Sequence, residues 1–271
     1  MTETSIVTSK TTTSKDGTTI GYTKLGSGPS VVLVDGAMCY REFGPMKSLA
    51  DALSKDFSVY YYDRRGRGES GDTAPYAVER EIEDLAAIVA EAEAPVFAVG
   101  ESSGAALIMR AVEAGVPIAR IVGYEPPYVN ALKQPGAPTP DYEANLKALV
   151  QKGDRGGAVK YFMVDMVGAP AFVPLMMKTI ARKPWAQLKS IAHTISNDAA
   201  VMQGFVVPAD DLAKISVPTL VMVGGKAKPN MAEAVKQVAA AIPGAVHRVL
   251  PGQTHQVATK VIAPEIAAFF R

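Results

Sequence analysis

The pentapeptide Gly100-Glu101-Ser102-Ser103-Gly104 carries the residues best suited to do chemistry in this chain. It follows the apolar run Ala94-Pro95-Val96-Phe97-Ala98, which reads as a buried strand. It opens Ala105-Ala106-Leu107-Ile108-Met109, which reads as a helix. A Gly-x-Ser-x-Gly on a strand-to-helix turn lifts its serine out at the strand tip. So tight a turn leaves no room for side chains on its flanks, which accounts for Gly100 and Gly104. It also leaves the Ser103 amide at a helix N-terminus, aimed at incoming negative charge. Such a serine suits attack on a carbonyl, provided that a base takes its proton.

Histidine is the natural base near neutral pH, and the chain has three, His193, His247 and His255. His255 lies in Gly252-Gln253-Thr254-His255, just past the last expected strand and at the same edge of the sheet as the serine turn. His247 falls inside that strand, where a surface or packing role is expected. His193 falls in a helical stretch, with a polar-face position expected and substrate contact as the alternative. His255 is the expected base for Ser102.

The elements that must position these groups alternate short apolar runs with amphipathic stretches, the pattern of a mostly parallel sheet with helices on both faces. Strands are expected over 18–24, 31–34, 57–62, 94–98, 119–124, 217–223 and 245–250. Helices are expected over 42–54, over 78–92 with its acidic residues outermost, over 231–241, and from beyond His255 to Arg271. The rhythm breaks at Tyr128. From there to about Ser216 the pattern is helical, with loops over 134–141 and 168–174. A long helical insert between strands is most simply a cap over the strand tips. The expected division is an α/β core from 1–127 and 216–271 with a helical cap from 128–215 inserted after the strand ending at Glu125. The Thr/Ser-rich first dozen residues are expected to be loosely held.

At 271 residues and 48% hydrophobic content the chain can bury one large core. Its formal net charge of +1 gives no electrostatic case for nucleic acid or a polybasic membrane contact. Arg64, Arg65 and Arg67 form the only tight basic group, and their Gly-rich turn is expected to brace neighbouring loops. One cysteine, Cys39, excludes an internal disulfide and makes a Cys-based metal site implausible, which fits a reducing cytoplasm. The first fifteen residues have no apolar segment suited to a secretory signal or membrane span.

Over nearly its whole length the chain resembles the α/β-hydrolase superfamily. The resemblance rests on Gly100-Glu101-Ser102-Ser103-Gly104, on Asp63-Arg64-Arg65-Gly66-Arg67-Gly68-Glu69-Ser70, on Val217-Pro218-Thr219-Leu220-Val221, and on Gly252-Gln253-Thr254-His255, in that family's order and each at a strand end. Two departures stand out. Most of the family places its triad acid in the loop after the penultimate strand, which here reads Gly224-Gly225-Lys226-Ala227-Lys228-Pro229, with no carboxylate. An imidazole that must become imidazolium needs a carboxylate to orient and stabilise it. Glu125 is the best candidate, since some relatives carry their acid on that strand tip; a loop-bracing or helix-capping Glu is the alternative. Asp210 and Asp211 are the fallback, although they read as a solvated pair. The other departure is Asp35-Gly36 where most of the family has His-Gly. The resemblance implies that Gly36 lets the backbone turn, that the Ala37 amide joins that of Ser103 in an oxyanion hole, and that Asp35 braces the loop by hydrogen bonding. Together the departures resemble the zearalenone-type lactonase branch.

The implied activity is hydrolysis of a carboxylic ester or lactone of a small, largely apolar substrate through an acyl-enzyme on Ser102. A ligand receptor on the same fold, and a lyase or acyltransferase using the same serine, are the alternatives. No metal or organic cofactor is implied, and a monomer or homodimer is expected. Gly36, Met38, Tyr128, Met163 and Trp185 are the expected substrate contacts. Met166, Met176, Met177 and Met202 divide between cap packing and the substrate cavity, which flexible thioethers suit.

Overall fold

The computed structural model describes residues 9–129 and 141–271. Eight strands in those residues form one sheet: β1 (Ser9–Thr13), β2 (Thr19–Leu25), β3 (Ser30–Val34), β4 (Ser58–Tyr62), β5 (Val96–Glu101), β6 (Arg120–Tyr124), β7 (Thr219–Gly224) and β8 (Val246–Leu250). Their order is β1-β2-β4-β3-β5-β6-β7-β8. Pairing is antiparallel for β1 with β2 and for β2 with β4, and parallel from β4 to β8.

The central strands are continuous apolar runs because both of their faces are covered. Val32 and Val34 of β3 pack into one core, and Val31 and Leu33 into the other. Helices α2 (Val78–Ala90), α3 (Ser103–Glu113) and α10 (Pro229–Ala241) cover the first face. Helices α1 (Met46–Leu53) and α11 (Thr259–Phe270) cover the second. Between β6 and β7 stand α4 (Tyr142–Gln151), α5 (Arg155–Tyr161), α6 (Phe172–Thr179), α7 (Arg182–Ser190), α8 (Ile195–Val201) and α9 (Ala209–Leu212), with a π-helical turn at Phe162–Met166. The expected 134–141 loop lies, apart from Asp141, outside the described residues. The expected 168–174 loop is cut short by α6.

Three other expectations need correction. Ser9–Thr13 is a strand rather than a loose end, paired with β2 from Ser9↔Thr23 to Thr13↔Thr19. A polar edge strand has no buried face and so shows no apolar alternation, although threonine suits the pleat. Helix α1 starts at Met46 and not at residue 42, because Tyr40 and Phe43 bridge to one another and Pro45 stands at the N-cap. The acidic residues of α2 are not all outermost. Glu81 and Asp84 are 2% and 1% exposed.

Those two acids are buried because the turn after β4 buries its arginines, each 1% exposed. The Arg65 guanidinium donates both Nε and Nη2 to Asp84, each at 2.7 Å. Arg64 Nε donates to Glu81 at 2.8 Å, while its Nη1 reaches Asp198 Oδ1 in α8 at 2.6 Å. Arg67 Nη2 reaches Asp198 Oδ2, also at 2.6 Å. Asp198 thus fastens the helical insertion to the sheet. Burial disfavours its charge, but Arg67 and Arg64 outweigh burial and hold it below the usual carboxylate range.

Removing one partner of a buried pair leaves an uncompensated charge. Asp198→Asn strips Arg67 of its carboxylate, while Arg64 keeps Glu81. The expected loss is about 3–5 kcal/mol, read as a lower urea midpoint at unchanged slope. Since the folded-state pKa of Asp198 is depressed, its contribution is present above the unfolded carboxylate value. It is lost as pH falls through the folded one. The gap between wild type and variant therefore closes only in acid.

Candidate active site

Ser102 stands between β5 and α3 with φ 55° and ψ −126°, a left-handed conformation rare for a residue with a Cβ. The crossing is tight enough that a Cβ on Gly100 would come 2.5 Å from Gly104 backbone, and one on Gly104 would come 2.3 Å from the Val34 carbonyl. The Ser102 amide donates to the Tyr124 carbonyl at 2.8 Å, which fixes the turn to the end of β6. Gly36 lies against it from the next strand over, where a Cβ would meet that of Ser102 at 2.9 Å.

Glu125 follows β6, 1% exposed and with φ 47°. Its Oε2 lies 2.6 Å from His255 Nδ1, and its Oε1 accepts the Gly224 amide at 2.8 Å. The end of β7, where it enters the following loop, therefore supplies a hydrogen-bond donor to this carboxylate. That loop is stitched to the histidine loop, because the Lys226 amide donates to the Gln253 carbonyl at 2.8 Å. Tyr124 Oη donates to the Thr254 carbonyl from below. A side chain on Gly224 would come 2.5 Å from the Gln253 carbonyl, so glycine is what lets these loops close together.

Ser102, Glu125 and His255 line one cavity of about 280 Å³. Among the described residues the Ser102 hydroxyl has no hydrogen-bond partner; it shares the cavity with the ring and is not bonded to it. Ala37 and Ser103 border a smaller recess of about 30 Å³ on the other side of Ser102. The Ser103 amide is the first N–H of α3 and has no intrahelical acceptor.

Residues 26–260 match the model of a family described as the alpha/beta hydrolase family. The chain belongs to the alpha/beta hydrolase family. An alpha/beta hydrolase from Sphaerobacter thermophilus DSM 20745 superposes with a TM-score of 0.88 at 45% identity, over 97% of this chain and 100% of that one. A thermophilic esterase from Thermogutta terrifontis superposes at 0.72 with 20% identity, over 98% of each chain, which speaks for the fold alone. An N-formylmaleamic acid deformylase from Pseudomonas putida S16 does so at 0.66 and 19%, over 96% and 99%. No curated protein matches the chain.

Within this hydrolase the other predicted contacts are dispersed. Met38 is 5% exposed and Tyr128 1%, both packed in the core. Met163 packs against that core, and Trp185 lines a separate groove of about 870 Å³ within the insertion. That groove is larger than the serine cavity, but it contains none of Ser102, Glu125 and His255. Of the methionines, Met166 lines the serine cavity, Met202 borders the small recess at 1% exposure, Met177 packs on the core, and Met176 is 45% exposed. Phe162 and Met231 line the cavity too, and sequence reasoning did not single them out. The π-helical turn that aims Phe162 and Met166 has no periodic signal to reveal it.

Asp211 pairs with Lys214 at 2.8 Å, away from the histidine. His247 is exposed on the edge strand β8, and His193 Nε2 lies 3.3 Å from Asp72. Asp35 corrects an expectation. Its buried Oδ1 has no hydrogen-bond partner, and it is the Asp35 backbone carbonyl that is held, by Arg64 Nη1 at 3.3 Å. The loop is braced instead by Arg67, whose Nη1 donates to the carbonyls of Gly36 at 2.7 Å and Cys39 at 3.2 Å. Burial, reinforced by Glu101, pushes the Asp35 carboxyl well above the usual range.

Two ionisable groups of the site are shifted upward. Burial pushes Glu101 up to about 7, opposed by His255 and reinforced by Glu125. Burial favours neutral His255, but the ring is half open to solvent, at 47% side-chain exposure, which weakens that effect. The Glu125 hydrogen bond and the Glu101 charge therefore prevail, and the ring's pKa is raised. The His255 ring proton resonances should titrate above the ordinary value of about 6.5. Glu101→Gln should shift that midpoint down, since it removes a charge that favours imidazolium. An NMR titration with His193→Gln and His247→Gln for assignment checks both.

Proposed function

We propose that this chain hydrolyses carboxylic esters or lactones through an acyl-enzyme on Ser102. The observation that carries the reading is the buried Glu125 carboxylate bonded at 2.6 Å to His255 Nδ1 in the cavity that holds Ser102. That bond makes Nε2 the ring nitrogen left to act on the serine. Contacts between such a base and its serine tighten once substrate fills the site. In this reading residues 128–215 serve as a cap over the core formed by 1–127 and 216–271.

Ser102 Oγ attacks the carbonyl carbon as its proton passes to His255 Nε2. Glu125 stabilises the imidazolium at Nδ1 and remains unprotonated. The amides of Ala37 and Ser103 receive the oxyanion, and their preorganisation is where most of the barrier lowering resides. The imidazolium then gives its proton to the leaving alcohol oxygen. Water, deprotonated by the same ring, attacks the acyl carbon; the bond to Ser102 Oγ breaks as the imidazolium returns its proton to that oxygen, which frees the carboxylic acid and the enzyme. Every step uses proton transfer and fixed dipoles, so this route needs no cofactor. A cavity of about 280 Å³ suits a small substrate. The departures Asp35-Gly36 and Glu125 are what favour including lactones.

Ser102→Ala should abolish turnover of an activated ester while leaving the unfolding midpoint unchanged. A serine-reactive phosphonate should add one equivalent of mass to wild type and none to that variant. Glu125→Gln should lower kcat by about 10⁴-fold, as loss of a triad acid does, whereas Asp211→Asn should leave it near wild type. Because His255 must be neutral to accept a proton and its pKa is raised, kcat/KM should rise with pH through a midpoint above about 6.5. Wild-type turnover by Ser102→Ala would overturn the assignment. A wild type that binds esters without cleaving them would favour a receptor.

A further inference from the structure

The loop after β7 carries two lysines into the serine cavity, Lys226 and Lys228. Their surroundings differ. Lys228 Nζ donates to the Val167 carbonyl at 2.8 Å, a clasp from the core loop to the helical insertion. Lys226 is held at its backbone, where its amide donates to the Gln253 carbonyl. Among the described residues its ammonium has no partner.

Acidic partners are scarce around this wall. Among the described residues the one carboxylate lining the cavity is Glu125, and both of its oxygens are taken, by His255 and by the Gly224 amide. Glu101 contributes negative charge nearby, felt at His255, but it does not line the cavity. The stretch 130–140 contains no Asp or Glu. Helix α10 begins just beyond Lys228, has no acid in its first turn, and adds the positive end of its dipole. Asn230, 5% exposed, lines the same wall. Its Oδ1 accepts the Met231 amide at 3.0 Å, which leaves its NH2 as a donor without an acceptor among the described residues. The same lining includes the apolar side chains of Val129, Phe162 and Met166.

This wall stands on the histidine side of the serine. The cavity contains His255, which delivers a proton to the leaving oxygen, while the amides expected to hold the oxyanion border the other recess. We propose that the cavity takes the alcohol part of an ester or lactone that bears a carboxylate, with an apolar body against Phe162 and Met166 and the anionic end met by the Lys226 ammonium and the Asn230 amide. The proposal rests on the hydrolase reading above and narrows it to amphipathic, anionic substrates. Lys226 is exposed, so water solvates its ammonium when the ligand is neutral, and a carboxylate adds an ion pair that a neutral ligand does not.

The test compares 3-acetoxybenzoate with its uncharged analogue 3-acetoxybenzamide, which release the same acetyl group and differ in the charge of the leaving phenol. At low ionic strength kcat/KM should favour the carboxylate by about two- to fivefold, as an ion pair with an exposed lysine allows. The preference should fall towards unity in Lys226→Gln, return in Lys226→Arg, and weaken in about 0.5 M salt. A wild type that shows no preference, or a preference untouched by Lys226→Gln, overturns the anion site and leaves the serine hydrolase standing. Failure of wild type to cleave either compound, or 4-nitrophenyl acetate, overturns the hydrolase reading and this inference with it.

Discussion

The candidate site depends on one buried carboxylate having its hydrogen bonds made from two different loops. Glu125 is 1% exposed, so water satisfies neither oxygen. Gly224 N–H takes one and His255 Nδ1 takes the other. An unpaired carboxylate there would be costly enough to reorganise the region. The loops after β6, β7 and β8 must therefore arrive together, and the contacts among Gly224, Gln253, Tyr124 and Thr254 are how they do so. The loop after β7 carries no acid; the amide comes from Gly224 at the end of β7, and Lys226 and Lys228 of that loop line the cavity.

A second buried charge system does comparable work on the other side of the serine. Arg64 and Arg67 descend from the end of β4 and meet Asp198 of α8. Asp198 Oδ1 also accepts the Ser103 hydroxyl at 2.7 Å, and Arg67 holds the Gly36 carbonyl. The insertion, the serine turn and the loop bearing Ala37 are thus tied to one ion cluster. A displacement of α8 has to be felt at both amides proposed for the oxyanion. Rigid coupling of this kind suits a site that must hold its donors in place before charge develops.

The resting conformation also places strain where chemistry is proposed. Ser102, Glu125 and Met38 all have positive φ without being glycine. Each is the residue, or a near neighbour of the residue, assigned a role in the reaction. Such backbone persists only where the surroundings over-determine it. Here those surroundings are the parallel strands on either side and the glycines that let them approach.

By itself the sequence determined the fold and pointed to the candidate side chains of the site. Apolar runs of strand length alternating with amphipathic stretches follow from local burial, and burial on both faces of a parallel sheet leaves a readable mark. A Gly-x-Ser-x-Gly at a strand end and a histidine past the last strand are likewise local facts. What it left open was every relation between distant segments. The polar strand Ser9–Thr13 has no apolar pattern, because an edge strand stabilises itself through its partner. The buried acids of α2 resemble surface acids until the arginines of the β4 turn fold onto them. Asp35 looked like a bracing side chain, and Arg67 proved to hold the loop. Tyr128 and Trp185 lie in the insertion by sequence, yet they face the core and a separate groove. Only the tertiary structure decided which carboxylate meets His255, since a hydrogen bond between residues 130 positions apart depends on strand order and loop closure and not on any local pattern.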